Sequence, residues 1–373
     1  MSKPAKIISG LIVIIGVIAG IWYGVSEKLM KKDSVKIGVI LPLSGQLAVA
    51  GEQVKRGILL AEEIINRKEG KNLTLIFEDS KGNPKEAVTA FTKLIEIDKV
   101  KAVIGPFTSG EVLATAPIAQ EKKIILIAPI AMSSKINNTG DYIFKMHESS
   151  ELHAQKIVEV MKKKKFNRIS ILYNNVEYCK DAIDSLLKEL TQKGIEVLNV
   201  EKYTKGDADF RSQLAKIKNR NPDAIFLCGY YKELGLILKQ MEELGIKKQV
   251  FSTPTFKDPS VLEIAGKAAE GVIYTVKEYD CTTQWGKIFC KEYKEKYHEE
   301  PSYRVAYGFD SLMILYQAIK KVGADPEKLK TELLKTDFDG AMGKTIFDKK
   351  GNAQRDVMVE TVKNGKFVPY TEK

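Results

Sequence analysis

Short apolar, β-branched runs alternate with amphipathic helical stretches through most of this sequence, and that alternation constrains the fold more than any other feature. Val35 to Leu41 reads as a strand and is followed by a helical segment from about Gly51 to Arg67. Asn72 to Phe77 is the next strand, and Asn83-Pro84 is an N-cap with proline at the first helical position for a helix to about Ile97. Ala102 to Ile104 and Ile124 to Ala128 are apolar enough for strands buried on both faces, with a helix-compatible run from Glu111 to Gln120 between them. After Tyr142 to Lys145 the pattern restarts. Helices at 150–164, 177–192, 209–219 and 232–244 alternate with strands at 168–173, 195–200, 224–228, 249–252 and 271–276. Alternation of this kind builds βαβ units around a parallel sheet, so the fold class is α/β with two doubly wound units. Helices then dominate at 283–297, 305–322 and 326–334. Asn364-Gly365 between two strand-like runs is a type I′ hairpin signal, so the chain returns late to a sheet it left earlier.

One stretch concentrates polar groups where such folds bind ligands. In KAVIGPFTSG, Gly105-Pro106 ends the strand, and Phe107-Thr108-Ser109-Gly110 leads into the next helix. Hydroxyls and free backbone N–H groups therefore gather at a helix start, a geometry that attracts anions. A Ser/Thr N-cap with a purely local role is the competing reading.

A chain of 373 residues, 44% hydrophobic, holds enough apolar material for two domains once its N-terminus is set aside. The net charge of +11 raises nucleic acid or an acidic membrane surface as partners. Its lysines, however, are interleaved with Glu and Asp in amphipathic segments. The densest run, Lys162 to Lys165, closes a helix, where cations meet the negative end of the dipole. Without basic-aromatic interleaving or a helix-turn-helix pattern, nucleic acid is not an expected partner.

From Ile7 to Val25 no charged residue occurs, over close to the ~20 residues that cross a bilayer as a helix. Trp22 and Tyr23 lie near its end, as interface aromatics do. The run is longer than the apolar core of a signal peptide and no small-residue cleavage site follows it, so an uncleaved anchor is expected, with a cleaved signal as the alternative. Either way the body from about Ser34 is expected outside the cytoplasm. Four cysteines, Cys179, Cys228, Cys281 and Cys290, are too few for a disulfide scaffold and too widely spaced for zinc. Cys281 and Cys290 stand near enough to pair across a short loop in an oxidising compartment. Cys228, inside an apolar run, is expected as a small buried hydrophobe.

Catalytic signatures are missing. His147, His153 and His298 lack metal spacing, and the first two are six apart, off any common helix face. No serine sits in G-x-S-x-G. Gly343-Lys344-Thr345 resembles the end of a P-loop, but Phe338 stands where its first glycine belongs. An enzyme is not expected, nor a cofactor or a metal.

The ordered set VKIGVILPLSGQLAVAGEQVKRGILLAEEIIN, EDSKGNPKEAVTAFTKLI, VKAVIGPFTSG, IILIAPIA, ILYNNVEYCKDAIDSLLKEL, DFRSQLAKIKNRNPDAIFLCGYY and AYGFDSLMILYQAIKKVG resembles the branched-chain amino acid binding proteins of ABC transporters, in the type I periplasmic binding protein superfamily. The resemblance runs from about Val35 to Pro369 and implies two Rossmann-like lobes joined by three crossovers. Lobe one would hold 34–147 and 277–337, and lobe two 148–276 and 338–373, behind an N-terminal segment of 1–33. It also implies a monomer that captures a small solute, above all an aliphatic or branched-chain amino acid, and delivers it to an ABC permease beside the membrane that residues 7–25 would anchor. A receptor ectodomain, or a binder of a small amide or carboxylic acid, is the alternative.

The same resemblance implies the site. Phe107, Thr108 and Ser109 occupy the loop that holds an α-carboxylate, with Ser109 as the principal donor. Ile130, Ala131 and Met132 occupy the loop that adds backbone groups and a threonine, so one hydroxyl is missing unless Ser133 substitutes. Tyr178 and Tyr230 match two tyrosines reaching from lobe two. Two positions depart from the family. Ala50 stands where an aromatic residue is frequent, leaving a roomier wall or shifting that role to Phe107. Thr255 stands where amino-acid binders place a carboxylate opposite the ammonium. A buried cation without an opposite charge is costly, which leaves Asp258, Glu177 or Glu278 to replace it, or a ligand without an ammonium.

Overall fold

The computed structural model describes residues 34–70 and 73–371. The expected anchor at 7–25 lies outside them, and among the described residues no helix is long and apolar enough to cross a membrane. The first unit runs β1 (Val35–Leu41), α1 (Ala48–Glu69), β2 (Leu73–Asp79), α2 (Pro84–Glu96), β3 (Ala102–Ile104), α3 (Ser109–Lys122), β4 (Ile125–Ala128) and β5 (Ile143–Lys145). Its five strands form one parallel sheet in the order β2-β1-β3-β4-β5. The order reverses between β1 and β3, and ligands of such sheets bind at the carboxyl ends of the strands flanking that point.

The second unit runs α4 (Ser150–Lys163), β6 (Arg168–Asn174), α5 (Glu177–Gln192), β7 (Glu196–Tyr203), α6 (Arg211–Arg220), β8 (Ala224–Cys228), α7 (Tyr231–Glu243), β9 (Gln249–Ser252), α8 (Pro259–Ala265) and β10 (Ile273–Val276). Three helices follow, α9 (Gln284–Tyr297), α10 (Tyr303–Val322) and α11 (Pro326–Leu333), and then β11 (Asp337–Gly340), β12 (Gly343–Ile346), β13 (Met358–Lys363) and β14 (Lys366–Pro369). The late hairpin β13–β14 turns at Asn364-Gly365, both with φ above zero, and adds antiparallel to β10 at the edge of a seven-stranded sheet. The hairpin β11–β12 forms a separate two-stranded sheet that the sequence pattern did not announce.

The three late helices pack back onto the first unit. One continuous core joins Ile37, Val39, Val54, Ile58 and Ile104 to Tyr307, Phe309 and Leu312 of α10. The α1–α10 crossing is close because both helices carry a glycine there. A Cβ on Gly57 would fall 1.9 Å from the carbonyl oxygen of Val305, and one on Gly308 would fall 2.2 Å from that of Val54. Each fully buried Leu, Ile or Phe side chain in this core contributes roughly 1.5–3 kcal/mol.

Two disulfides form, and one corrects an expectation. Cys281 and Cys290 are bonded, with Cα atoms 5.8 Å apart. Cys228 is buried as expected, but it is bonded to Cys179 rather than free, with Cα atoms 5.7 Å apart. The end of β8 and the first turn of α5 lie side by side, a neighbourhood set by strand order and invisible in a separation of 49 residues.

Candidate functional site

The floor of the cleft is built from the loop that leaves β3. Gly105 has φ +104, and a Cβ there would meet the Ile40 carbonyl oxygen at 2.1 Å, so the turn admits only glycine. Thr108 and Glu111 then form a reciprocal capping box: the Thr108 hydroxyl accepts from the Glu111 amide, and the Glu111 carboxylate accepts from the Thr108 amide at 2.7 Å. The amides of Ser109 and Gly110 remain as first-turn donors. Ser109 is buried, and its Oγ accepts from the amides of Met132 (3.2 Å) and Ser133 (3.1 Å). With both acceptor positions filled, its own O–H is left as a donor.

Opposite this floor stand residues of the second unit. Tyr178, in the first turn of α5, donates to Thr253 Oγ1 and shares a 3.0 Å hydrogen bond with Thr255. Thr255 donates to the Gly229 carbonyl at 2.7 Å. The Tyr178 and Tyr230 rings lie 6.3 Å apart, and burial pushes both phenols far above their ordinary range, so both stay protonated. Contacts bridge the two units around the cleft. Tyr231 Oη donates to the Gln46 carbonyl at 2.6 Å, Lys135 pairs with Glu177 at 2.7 Å, and Ser134 binds Asp181 through both amide and hydroxyl.

All ten residues singled out from the sequence line this one cleft: Ala50, Phe107, Thr108, Ser109, Ile130, Ala131, Met132, Tyr178, Tyr230 and Thr255. Its empty space, counted out through the open mouth into solvent, is about 530 Å³. The family model for periplasmic binding proteins matches residues 34–366. The chain belongs to that family.

As a periplasmic binding protein the chain is similar to a leucine-, isoleucine-, valine-, threonine- and alanine-binding protein of Pseudomonas aeruginosa. They are 26% identical over 335 residues, covering 88% of this chain and 90% of the relative. Among solved structures it superposes on a leucine-binding protein of Thermotoga maritima with a TM-score of 0.85 and 31% identity, covering 90% of this chain and 98% of that one. A branched-chain amino acid transporter substrate-binding protein of Streptococcus pneumoniae, solved with isoleucine, gives 0.81 and 29%, again covering 90% and 98%. The chain is thus of the substrate-binding type found in branched-chain amino acid ABC transporters, and its homologues are solute-binding proteins, not enzymes.

Several side chains depart from the sequence reading. Ser133, considered for the missing hydroxyl, does not line the cleft, and its Oγ accepts from the Lys135 amide. The three carboxylates considered as ammonium partners are committed elsewhere: Asp258 pairs with Arg304 at 2.7 Å, Glu177 with Lys135, and Glu278 with Lys257. None of them lines the cleft. Leu47, His147, Tyr231, Pro254, Tyr303 and Arg304 line it without having been singled out. Arg304 had a signal, since it is the one charge in an otherwise apolar start of α10. Its guanidinium carbon lies 4.9 Å from the Tyr303 ring centre.

The histidines are also closer than their spacing suggested. His147 precedes α4 rather than sharing it, so the chain folds back and sets its ring 5.7 Å from that of His153. Ligand atoms of His147, Glu148 and His153 lie within 4.8 Å of one another. Glu148 is already taken, accepting from Tyr307 Oη at 2.5 Å and from Arg355 at 3.2 Å. Burial, with the charges of Lys145 and Arg355 adding to it, pushes His147 down to about 3, and burial does the same to His153. Both histidines are therefore neutral, and the one carboxylate among the three is paired with Arg355.

Proposed function

We propose that this chain is an extracytoplasmic solute-capture protein whose lobes, 34–147 with 277–337 and 148–276 with 338–373, close on a small solute and present it to an ABC permease. The observation that carries this reading is convergence. A donor-rich loop and helix start from one unit and two protonated tyrosines from the other face each other across one cleft with apolar walls. The solute's acceptor end would dock at Ser109 and the α3 N-terminus, and its body would lie against Leu47, Ala50, Phe107 and Ile130. Relatives named for leucine, isoleucine and valine support a branched aliphatic body. Residues 7–25 would hold the protein beside the permease, raising its effective concentration there.

Calorimetric titration of the full-length chain with amino acids, amides and carboxylates tests the reading. One-to-one saturable binding of at least one small solute is expected. A panel without a single binder rejects solute capture.

A further inference from the structure

The donor end of the cleft is backed by a buried cation that the capture scheme above does not use. Lys145, the last residue of β5, is 1% exposed, and its Nζ donates to the carbonyl oxygens of Met132 (3.3 Å) and Ser133 (3.5 Å). The amides of the same two residues donate to Ser109 Oγ. One peptide unit carries both kinds of contact: its Met132 carbonyl accepts from Lys145 and its Ser133 amide donates to Ser109, so a line of polarised groups runs from the ammonium through that peptide to the hydroxyl lining the cleft. Hydrogen bonds aligned in this way strengthen one another, and in a poorly hydrated site the cation's field reaches the end of the line.

The opposite wall lacks the converse charge. Among the described residues that line the cleft there is no Asp or Glu, and the one formal charge is that of Arg304. Thr255 Oγ1 is spent on Gly229, Tyr178 and Thr253, and Asp258 is spent on Arg304. An ammonium brought into this wall would find no carboxylate lining it, which is costly in a buried site.

From this geometry we infer that the solute is a carboxylate without an ammonium group, and that Lys145 positions and polarises its binding end through the Met132–Ser133 peptide. The inference rests on the capture reading and narrows it to branched aliphatic or aromatic monocarboxylic acids. Desolvation acts most strongly on Lys145 and opposes its protonation, while the carboxylates of Asp181, Glu151, Glu148 and Asp348 favour it. None of these carboxylates lines the cleft, and the solute's anion would stand at the far end of the line.

Two matched sets of ligands test this on the full-length chain: leucine, 4-methylpentanoate and 4-methylpentanamide, and phenylalanine, 3-phenylpropanoate and 3-phenylpropanamide. In at least one set the acid is expected to bind about tenfold or more tighter than both its amino acid and its amide, as a charge-assisted bond exceeds a neutral one. Lys145→Met is expected to narrow the acid-over-amide ratio by about tenfold, and Lys145→Arg to restore it, with circular dichroism confirming the fold of each. Tighter binding of the amino acid than of its deaminated acid overturns this inference and leaves capture standing. A ratio unchanged in a folded Lys145→Met variant overturns the role of Lys145. If that variant does not fold, the wild-type acid-over-amide ratio decides, and a ratio near one overturns it. Binding of none of the six overturns the inference, and the wider panel then decides capture itself.

Discussion

Ser109 Oγ lies 3.1 Å from the amide nitrogen of Ser133 and accepts its hydrogen, so one hydroxyl both holds a neighbouring loop in place and faces the cleft. Ser109→Ala therefore removes a solute contact and leaves the amides of Met132 and Ser133 without an acceptor. A carboxylate ligand should lose about 1.5–3 kcal/mol of binding, and the ligand-free protein should lose about 1–3 kcal/mol of stability. Calorimetry and denaturant melts separate the two. A variant as stable as wild type would contradict the structural half of this account.

Thr255 occupies the wall opposite the donor end, where its side chain bonds only neutral oxygens. Placing a carboxylate there with Thr255→Glu should raise the affinity for leucine relative to 4-methylpentanoate. A shift of about tenfold corresponds to roughly 1.4 kcal/mol, modest for a new buried charge pair. An unchanged ratio in competition titrations would show that the ammonium end does not face this wall.

Lys145 gives the site a pH dependence of definite sign. Burial depresses its ammonium from 10.5 to about 8, so in the folded state it loses its proton at lower pH than in the unfolded chain. Affinity for an anionic solute should fall as pH rises through about 8, and affinity for the neutral amide should not follow. The sign for folding is opposite. The desolvation penalty is fully present below about pH 8 and is relieved as pH rises towards 10.5, so this group's contribution to stability increases over that window. Titrations and denaturant melts between pH 7 and 10 measure both trends, and parallel trends would contradict the assignment.

His147 and His153 set an acid limit. Both are held near 3, well below 6.5, so the unfolded chain binds their protons first as pH falls. Stability should decline from about pH 6.5 downward, with His153→Gln flattening the slope. A variant whose stability between pH 6 and 4 tracks wild type would remove His153 from this role.

The Cys179–Cys228 bond ties together the segments that carry Tyr178 and Tyr230. Closing a loop of 49 residues contributes about 4 kcal/mol in the chain-entropy estimate, against about 3 for the nine-residue separation of Cys281–Cys290. Cys179→Ala with Cys228→Ala should therefore cost more stability than Cys281→Ala with Cys290→Ala. The first pair should also weaken solute binding. Denaturant midpoints and titrations of the two double variants check the order.

What the sequence made legible was local or periodic. The βα alternation, the Thr108 cap, the Asn83-Pro84 start and the Asn364-Gly365 turn all depend on neighbours within a few residues, and each forms as the pattern indicates. The residues placed at the cleft came from the family resemblance rather than from periodicity. Hidden from both were groupings made by tertiary packing. Cys179 meets Cys228 through strand order, His147 meets His153 through a turn before α4, and Lys145 reaches the Met132–Ser133 carbonyls from the end of an adjacent strand. The hairpin at 337–346 escaped because two four-residue strands are too short to show a period.

The decisive measurement is titration of the full-length chain and of Ser109→Ala with small carboxylates, amides and amino acids. Ser109 lines the cleft at its donor end. Saturable one-to-one binding of a small apolar carboxylate to the wild type, weakened about tenfold or more in a folded Ser109→Ala variant, is expected. No binding by the wild type, or binding unchanged by the substitution, overturns capture at this site.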